Sequence, residues 1–198
     1  IYTDLPGRFP VASIRNMQYI FVCYAYEPNA ILVRPMKNRE NESMMAAYKD
    51  IYEYLTSKNS KPKLNVTDNE CSKAVQSYIA SQDVDWQLVE PHNHRVNAAE
   101  RAIQTFKNHF ISGLCATDEN WPLQLWDQLT HQATITLNLL RTSRIDPTKS
   151  AYEQIHGAKY DWNKHPMAPP GTRAIVYEAP DSRASWGPRG TDAWYCGP

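Results

Sequence analysis

The sequence predicts an α/β fold in which helices flank a mixed five-stranded sheet. Strand-like and helix-like segments follow each other as three strands, a helix, a strand, a helix, a strand and two helices, an order typical of mixed α/β layers. The second and third strand segments are separated by a short turn, which predicts an antiparallel hairpin at one end of the sheet. A chain of 198 residues is long enough for one such domain and a small appendage.

The strands are predicted from short runs of β-branched and aromatic residues. "IYTDL" opens the chain, and "MQYIFVCYAY" (17–26) and "AILVRPM" (30–36) form the hairpin around a turn at Glu27-Pro28-Asn29. "LNVT" (64–67) and "DWQLVE" (85–90) supply the remaining two strands.

The helices are predicted from apolar residues at helical spacing. The first helix has the apolar positions Met44, Met45, Tyr48, Ile51 and Leu55, and the short second helix has Ala74, Val75, Tyr78 and Ile79. The third has Ala99, Ile103, Phe106 and Phe110. A long fourth helix is expected to begin at Trp121-Pro122 and to bury Leu125, Leu129, Ala133, Ile135 and Leu139.

The last third of the chain changes character. "RIDPTKSAYEQIHG" predicts a turn and a short helix, "KYDWNKHPMAPPG" predicts a Pro-rich linker, and "TRAIVYEAP" and "TDAWYCGP" predict strands. We therefore expect a core at 1–142, a helix and linker at 143–170, and the start of a small β region at 171–198. Both ends of the chain lie within predicted elements, so we expect it to be a piece of a longer protein.

Composition narrows the class of protein. The 21 basic residues balance 21 acidic ones, which argues against a simple polyanion-binding module but allows an enzyme with a local basic strip beside an acidic site. The four cysteines form no C-x-x-C pair, so neither a zinc ribbon nor a disulfide framework is indicated and a reducing compartment is expected.

Three acidic residues occupy positions where such folds carry sites. Asp4 ends the first strand, Asp68 follows the "LNVT" strand, and Glu100 lies on the first turn of the third helix. Each alone has a structural explanation, because Asp is common in turns and Asn97 with Glu100 fits a capping box. If they meet at one sheet edge, three carboxylates can hold two Mg²⁺ ions about 4 Å apart for phosphodiester chemistry.

The ordered motifs resemble the catalytic core of retroviral-type integrases, specifically those of copia-type LTR retrotransposons. "YTDLPGRFP", "VTDNE" and "NAAERAIQTFK" resemble the segments that carry the three acids of that family. "WPLQLWDQLTHQATITLNLLR" and "DPTKSAYEQIHGAK" resemble its later helices, and the segment from "GTRAIVYEAP" onward resembles the SH3-like β region that follows copia cores. The resemblance covers nearly all of the chain and depends on the order of five short motifs.

The resemblance implies an RNase H-like fold and a polynucleotidyl transferase that uses Mg²⁺ or Mn²⁺. The implied reactions are DNA 3′-end processing and strand transfer of retroelement DNA into target DNA, with Asp4, Asp68 and Glu100 as the catalytic and metal-binding residues. It also implies that the protein binds element and target DNA, forms a homo-oligomer when active and contacts no membrane. The expected location is a cytoplasmic particle and then the nucleus.

Four basic residues are candidates for DNA contact. Lys107 falls on the same helix face as Glu100, about 10 Å further along the axis, and a Lys at this position contacts DNA near the cleaved end in the family. Arg101 is expected to add a phosphate contact, and His94 and Arg95 to lie near phosphate in the preceding loop. A solvated surface lysine is the alternative for Lys107.

Two departures from the family pattern keep other functions open. Thirty-one residues separate Asp68 from Glu100, fewer than the family usually has, and Glu70 replaces a Gly. One alternative is a catalytically decayed remnant that acts as a DNA-binding or interaction module. The other is an RNase H-like nuclease without joining activity, against which the copia-like C-terminal third argues.

Overall fold

The computed structural model describes residues 1–67, 73–89 and 98–198. Its main sheet has the order β3-β2-β1-β4-β5, built from β1 (Tyr2–Asp4), β2 (Tyr19–Ala25), β3 (Ala30–Met36), β4 (Leu64–Thr67) and β5 (Asp85–Leu88). β1, β2 and β3 pair antiparallel, whereas β1 with β4 and β4 with β5 pair parallel. The predicted mixed five-stranded sheet and its terminal hairpin are confirmed.

The helices are α1 (Asn41–Ser57), α2 (Lys73–Ser81), α3 (Ala98–Cys115), α4 (Thr130–Leu140) and α5 (Ala151–His156). They cover both faces of the sheet, and the alternation along β2 shows which helix lies where. Phe21, Cys23 and Ala25 pack in one core with α1 and α2. Ile20, Val22 and Tyr24 pack in the other core with α3 and α4.

The long fourth helix predicted from Trp121-Pro122 is wrong in its first half. Leu123–Leu129 is a 3₁₀ helix, and the α-helix begins only at Thr130. A 3₁₀ helix turns roughly 20° more per residue than an α-helix, so a single helical period does not describe the buried face. Trp126 is therefore fully buried. Leu125, Ile135 and Leu139, predicted to be buried, are only partly so.

The C-terminal residues form a two-stranded antiparallel ribbon of β6 (Arg173–Tyr177) and β7 (Gly190–Trp194). Trp194 contacts Trp121 edge-on, with ring centroids 6.1 Å apart, and so joins the ribbon to the core on the α3 side. Gly171 precedes the ribbon at φ +69°, where a Cβ would lie 2.5 Å from Thr117, so this close approach requires glycine. The division into a core, linker and SH3-like region stays a prediction.

Two further observations apply to residues 1–67, 73–89 and 98–198. Within them, no helix combines the length and apolar character needed to cross a bilayer. Cys23, Cys115 and Cys196 are free thiols there, and Cys71 lies outside the described residues.

Candidate active site

Asp4 is the last residue of β1, and the sheet register fixes the face on which its side chain lies. It pairs with Val22 of β2, and directly paired residues project from the same face of a sheet. Val22 belongs to the core beneath α3, so Asp4 lies on the α3 side. The carboxylate is partly exposed, and its Oδ1 accepts a hydrogen bond from the Leu5 amide at 2.7 Å.

A β-bulge follows Asp4. The pairing steps from Asp4 opposite Val22 to Arg8 opposite Tyr19, so three residues on one strand face two on the other. Gly7 supplies the required left-handed conformation at φ +91°. The bulge places the partly buried Phe9 against the core on the α3 side.

Phe9 anchors the chain on the far side of this bulge. Its ring stacks on Trp126 with centroids 4.1 Å apart and meets Phe110 of α3 edge-on at 6.3 Å. The strand end that carries Asp4 is thus held by β2 before the bulge and by α3 after it. Sequence reasoning missed this anchor, and Pro6-Gly7, which interrupts the strand pattern, is the signal that points to it.

The neighbouring strand β4 leads toward the second predicted acid. β1 and β4 run parallel with Thr3 beside Thr67, and the buried Thr3 hydroxyl donates to Asn65 Oδ1 at 3.3 Å. This buried side-chain contact joins the two strands one residue before Asp4. Asp68 is the residue after Thr67 in the sequence and lies outside the described residues.

α3 carries the third predicted acid. Its buried face is Ala99, Ala102, Ile103, Phe106 and Phe110, which confirms the predicted apolar face, and the helix packs against β1 and β2. Glu100 is exposed on the first turn. Its predicted capping partner, Asn97, lies outside the described residues.

The structure therefore brings Asp4 and Glu100 to one face of the sheet. Both supply carboxylate oxygens, the ligands that Mg²⁺ and Mn²⁺ prefer, so the donor chemistry fits either ion. Among the described residues there is no group of three His, Cys, Asp or Glu side chains that could hold a metal. The predicted triad includes Asp68 and therefore extends beyond that part of the chain.

Two of the predicted DNA-binding residues lie on α3. Arg101 and Lys107 are exposed, and Lys107 is seven residues, about two turns, beyond Glu100. Gln104, between them, donates to Asn108 at 3.1 Å, so this surface is polar and open to solvent. His94 and Arg95 lie outside the described residues.

Comparison with known proteins identifies the fold. No protein-family model matches the sequence, and no curated protein matches it either. Among solved structures, the HTLV-2 integrase catalytic core domain in complex with magnesium, in a trimeric form, is 20% identical with a TM-score of 0.54, covering 78% of this chain and 93% of that one.

Two further structures agree. The simian T-cell lymphotropic virus intasome in complex with PP2A regulatory subunit B56 gamma is 14% identical with a TM-score of 0.61, covering 98% of this chain and 65% of that one. The BIV integrase catalytic core domain is 11% identical with a TM-score of 0.57, covering 78% and 91%. The chain thus has the RNase H-like fold of retroviral integrase cores, as the sequence predicted.

Proposed function

We propose that this chain is the catalytic core of a metal-dependent polynucleotidyl transferase, an integrase that processes retroelement DNA 3′ ends and joins them to target DNA. The observation that supports this function best is the placement of Asp4 and Glu100. One ends β1 on the α3 side, and the other lies on the first turn of the helix that packs there. β4, parallel to β1, leads to Asp68.

In this proposal Asp4, Asp68 and Glu100 hold the metal ions. When bound, divalent ions activate the attacking oxygen and stabilise the leaving one. The remaining work of the protein is positioning, because phosphoryl transfer needs little covalent participation from side chains. Arg101 and Lys107 bind backbone phosphates and orient the DNA end along α3, and His94 and Arg95 add contacts before the helix.

Two displacements follow in sequence. A water molecule first attacks a phosphodiester bond near the element end, breaking the P–O3′ bond and leaving a 3′-hydroxyl. That hydroxyl then attacks a target phosphodiester, forming the new P–O bond as the target strand leaves with its own 3′-hydroxyl. Contacts to phosphate carry no sequence information, so target choice is expected to be weak.

The source and assembly belong to the same proposal. The copia-type motifs favour a retrotransposon polyprotein acting in the nucleus. The similar HTLV-2 core is trimeric and the similar simian virus chain belongs to an intasome, which supports a homo-oligomer on DNA.

Charge-neutral substitutions of the acids test the function. Asp4→Asn, Asp68→Asn and Glu100→Gln should each lower strand transfer of a labelled 3′-hydroxyl DNA end by more than about a hundredfold with Mg²⁺ or Mn²⁺. Two matched controls should keep full activity. Glu42→Gln changes an exposed acid on the first turn of α1, and Asp85→Asn changes one at the start of β5. Full activity of Glu100→Gln would contradict the assignment.

The same preparations separate the two alternatives. An ion that binds only the folded protein raises its melting temperature, so Mn²⁺ should stabilise the parent chain by several degrees and Glu100→Gln by less. No shift and no activity identify a decayed remnant. Cleavage without joining identifies a hydrolytic nuclease.

A further inference from the structure

A cavity of about 260 Å³ lies beyond the outer edge of β3, between that strand, α1, α4, α5 and the segment that follows α5. β2 separates β3 from β1 in the sheet, so the cavity is distinct from the surface that carries Asp4 and Glu100. None of the residues assigned to the integrase function lines it.

The charged and titratable groups that line this cavity are mainly basic side chains. Its lining contains Arg34 of β3 and three histidines, His131 of α4, His156 of α5 and His165, and no acidic side chain. Pro198, the last residue, also lines it, so a terminal carboxylate lies at one wall. The nearest acidic partner is Asp50 of α1, which pairs with the Arg34 Nε from outside the lining. An anion gains attraction here when the histidines are protonated, because Arg34 is already paired with Asp50.

The walls are aromatic and held in place. The His156 ring stacks on Tyr152 with centroids 3.9 Å apart and planes 12° apart, and its Nε2 lies 2.9 Å from the Tyr54 hydroxyl. Tyr160 meets Tyr152 edge-on at 5.4 Å and donates to the His165 carbonyl at 2.8 Å. Such fixed rings offer a rigid aromatic wall against which a planar group can pack.

We propose that this cavity binds a small planar aromatic acid, a single ring bearing a carboxylate or a phosphate. The ring packs against the tyrosine and histidine walls, and the acid group faces Arg34 and the histidines. A volume of about 260 Å³ lies just below the range of about 300–1,000 Å³ found for drug-sized ligands. One ring with one acid group is therefore the favoured size.

Protonation is coupled to this binding. Burial, with nearby Lys58, lowers the pKa of His156, and burial, with Arg34, lowers the pKa of His131. Burial raises the pKa of the wall residues Tyr54, Tyr152 and Tyr160, so they stay uncharged. A bound anion favours the charged imidazoles, so affinity increases as the pH falls, by about tenfold per unit for each proton taken up.

Calorimetry on the whole chain with defined probes tests the proposal. Benzoate and phenyl phosphate should bind, each more tightly at pH 6 than at pH 7.5. Neutral benzamide and inorganic phosphate, which lack the charge or the ring, should bind at least about tenfold more weakly. If one of the two acids binds more tightly than the other, its acid group, carboxylate or phosphate, is the one that the cavity prefers.

Variants locate the site. Arg34→Gln and His156→Gln should each weaken benzoate binding by about tenfold or more, whereas the matched changes His109→Gln and Arg8→Gln should not. His109 also has a pKa lowered by burial but lines a different cavity. Arg8 is exposed, lies opposite Tyr19 after β1 and does not line the cavity beside β3. His131→Gln replaces Arg34→Gln if the latter fails to show a native melting transition.

Three outcomes overturn the proposal. One is equal affinity for benzoate and benzamide, and another is the absence of binding by either acid to a natively folded chain. The third is binding that appears only after a self-associated chain is diluted to monomers. In that case a second copy of the chain occupies this face in the associated protein. Loss of DNA joining in the acid variants leaves benzoate binding unchanged, so the two proposals fail independently.

Discussion

Asn138 provides the sharpest test of how the core is assembled. This buried α4 side chain accepts a hydrogen bond from the Ile31 amide at 2.8 Å and donates one to the Ile31 carbonyl at 2.9 Å. Ile31 is fully buried on the outer strand β3. One amide side chain therefore satisfies both backbone groups that the strand presents away from β2 at this residue.

Asn138→Ala should destabilise the chain by about 2–4 kcal/mol. Each buried backbone group left without a partner costs about 1–3 kcal/mol, and two are affected. Asn108→Ala is a suitable control, because the Asn108 side chain is exposed on α3 and accepts a hydrogen bond from Gln104. The control should change stability by less than about 0.5 kcal/mol.

Urea unfolding measures the difference. With a slope of roughly 2 kcal/mol per molar urea, the midpoint of Asn138→Ala should fall by about 1–2 M while the slope stays unchanged. Amide exchange at Ile31 should also accelerate more than exchange at its neighbours. A shift no larger than that of Asn108→Ala would refute the view that this side chain secures the outer strand to α4.

Three further outcomes follow from the contacts. Arg15→Ala removes the 2.7 Å ion pair to Asp127, whose side chain is 1% exposed, and should lower the free energy of unfolding in urea by about 2–3 kcal/mol. Arg173→Ala, which removes an exposed pair with Asp192, should lower it by less than about 1 kcal/mol. Equal effects would contradict the argument. The Ser150 amide donates to Glu153 and lowers the pKa of that carboxyl. The stabilisation from this hydrogen bond is therefore present above the ordinary Glu pKa and is lost as the pH falls through the pKa of the folded state. Glu153→Gln should flatten the fall of melting temperature between pH 5 and pH 3, and an unchanged slope would count against this role of Glu153. Burial raises the pKa of Cys23 to about 12, so a thiol reagent at pH 8 should label exposed Cys115 and spare Cys23 in peptide maps of the native chain; equal labelling rates would show that β2 is accessible.

Local pattern was sufficient to predict the elements. The β2–β3 hairpin follows from two β-branched runs around Glu27-Pro28-Asn29, and the two faces of α3 follow from helical spacing. The parallel pairing of β1 with β4 joins residues more than sixty positions apart, and no local pattern specifies it. The order of elements implied a mixed sheet with a terminal hairpin, and the resemblance to integrase cores implied its RNase H-like arrangement.

Tertiary contacts determine what the sequence could not predict. The 3₁₀ helix ahead of α4 places Trp126 in the core, where its indole donates to the Val11 carbonyl at 2.9 Å. The bulge after Asp4 and the cavity beside β3 likewise depend on segments distant in sequence. Asp4 lies at the end of β1 and Glu100 on the first turn of α3, as predicted. Pro6-Gly7 signals a break in the first strand, but not the contact of Phe9 with Trp126.

The shorter connection between Asp68 and Glu100 leaves the scaffold of the candidate site intact. β4 and β5 keep four parallel pairs, from Leu64 opposite Asp85 to Thr67 opposite Leu88, and α3 packs against β1 and β2. These contacts, and not the number of residues between the two acids, set where β4 ends and where the first turn of α3 lies, because loop length contributes only weakly to stability. The shorter spacing is therefore compatible with the packing of the described strands and of α3. Substitutions at Asp4 and Glu100, set against Asp85 and Glu42, discriminate between an integrase and a remnant.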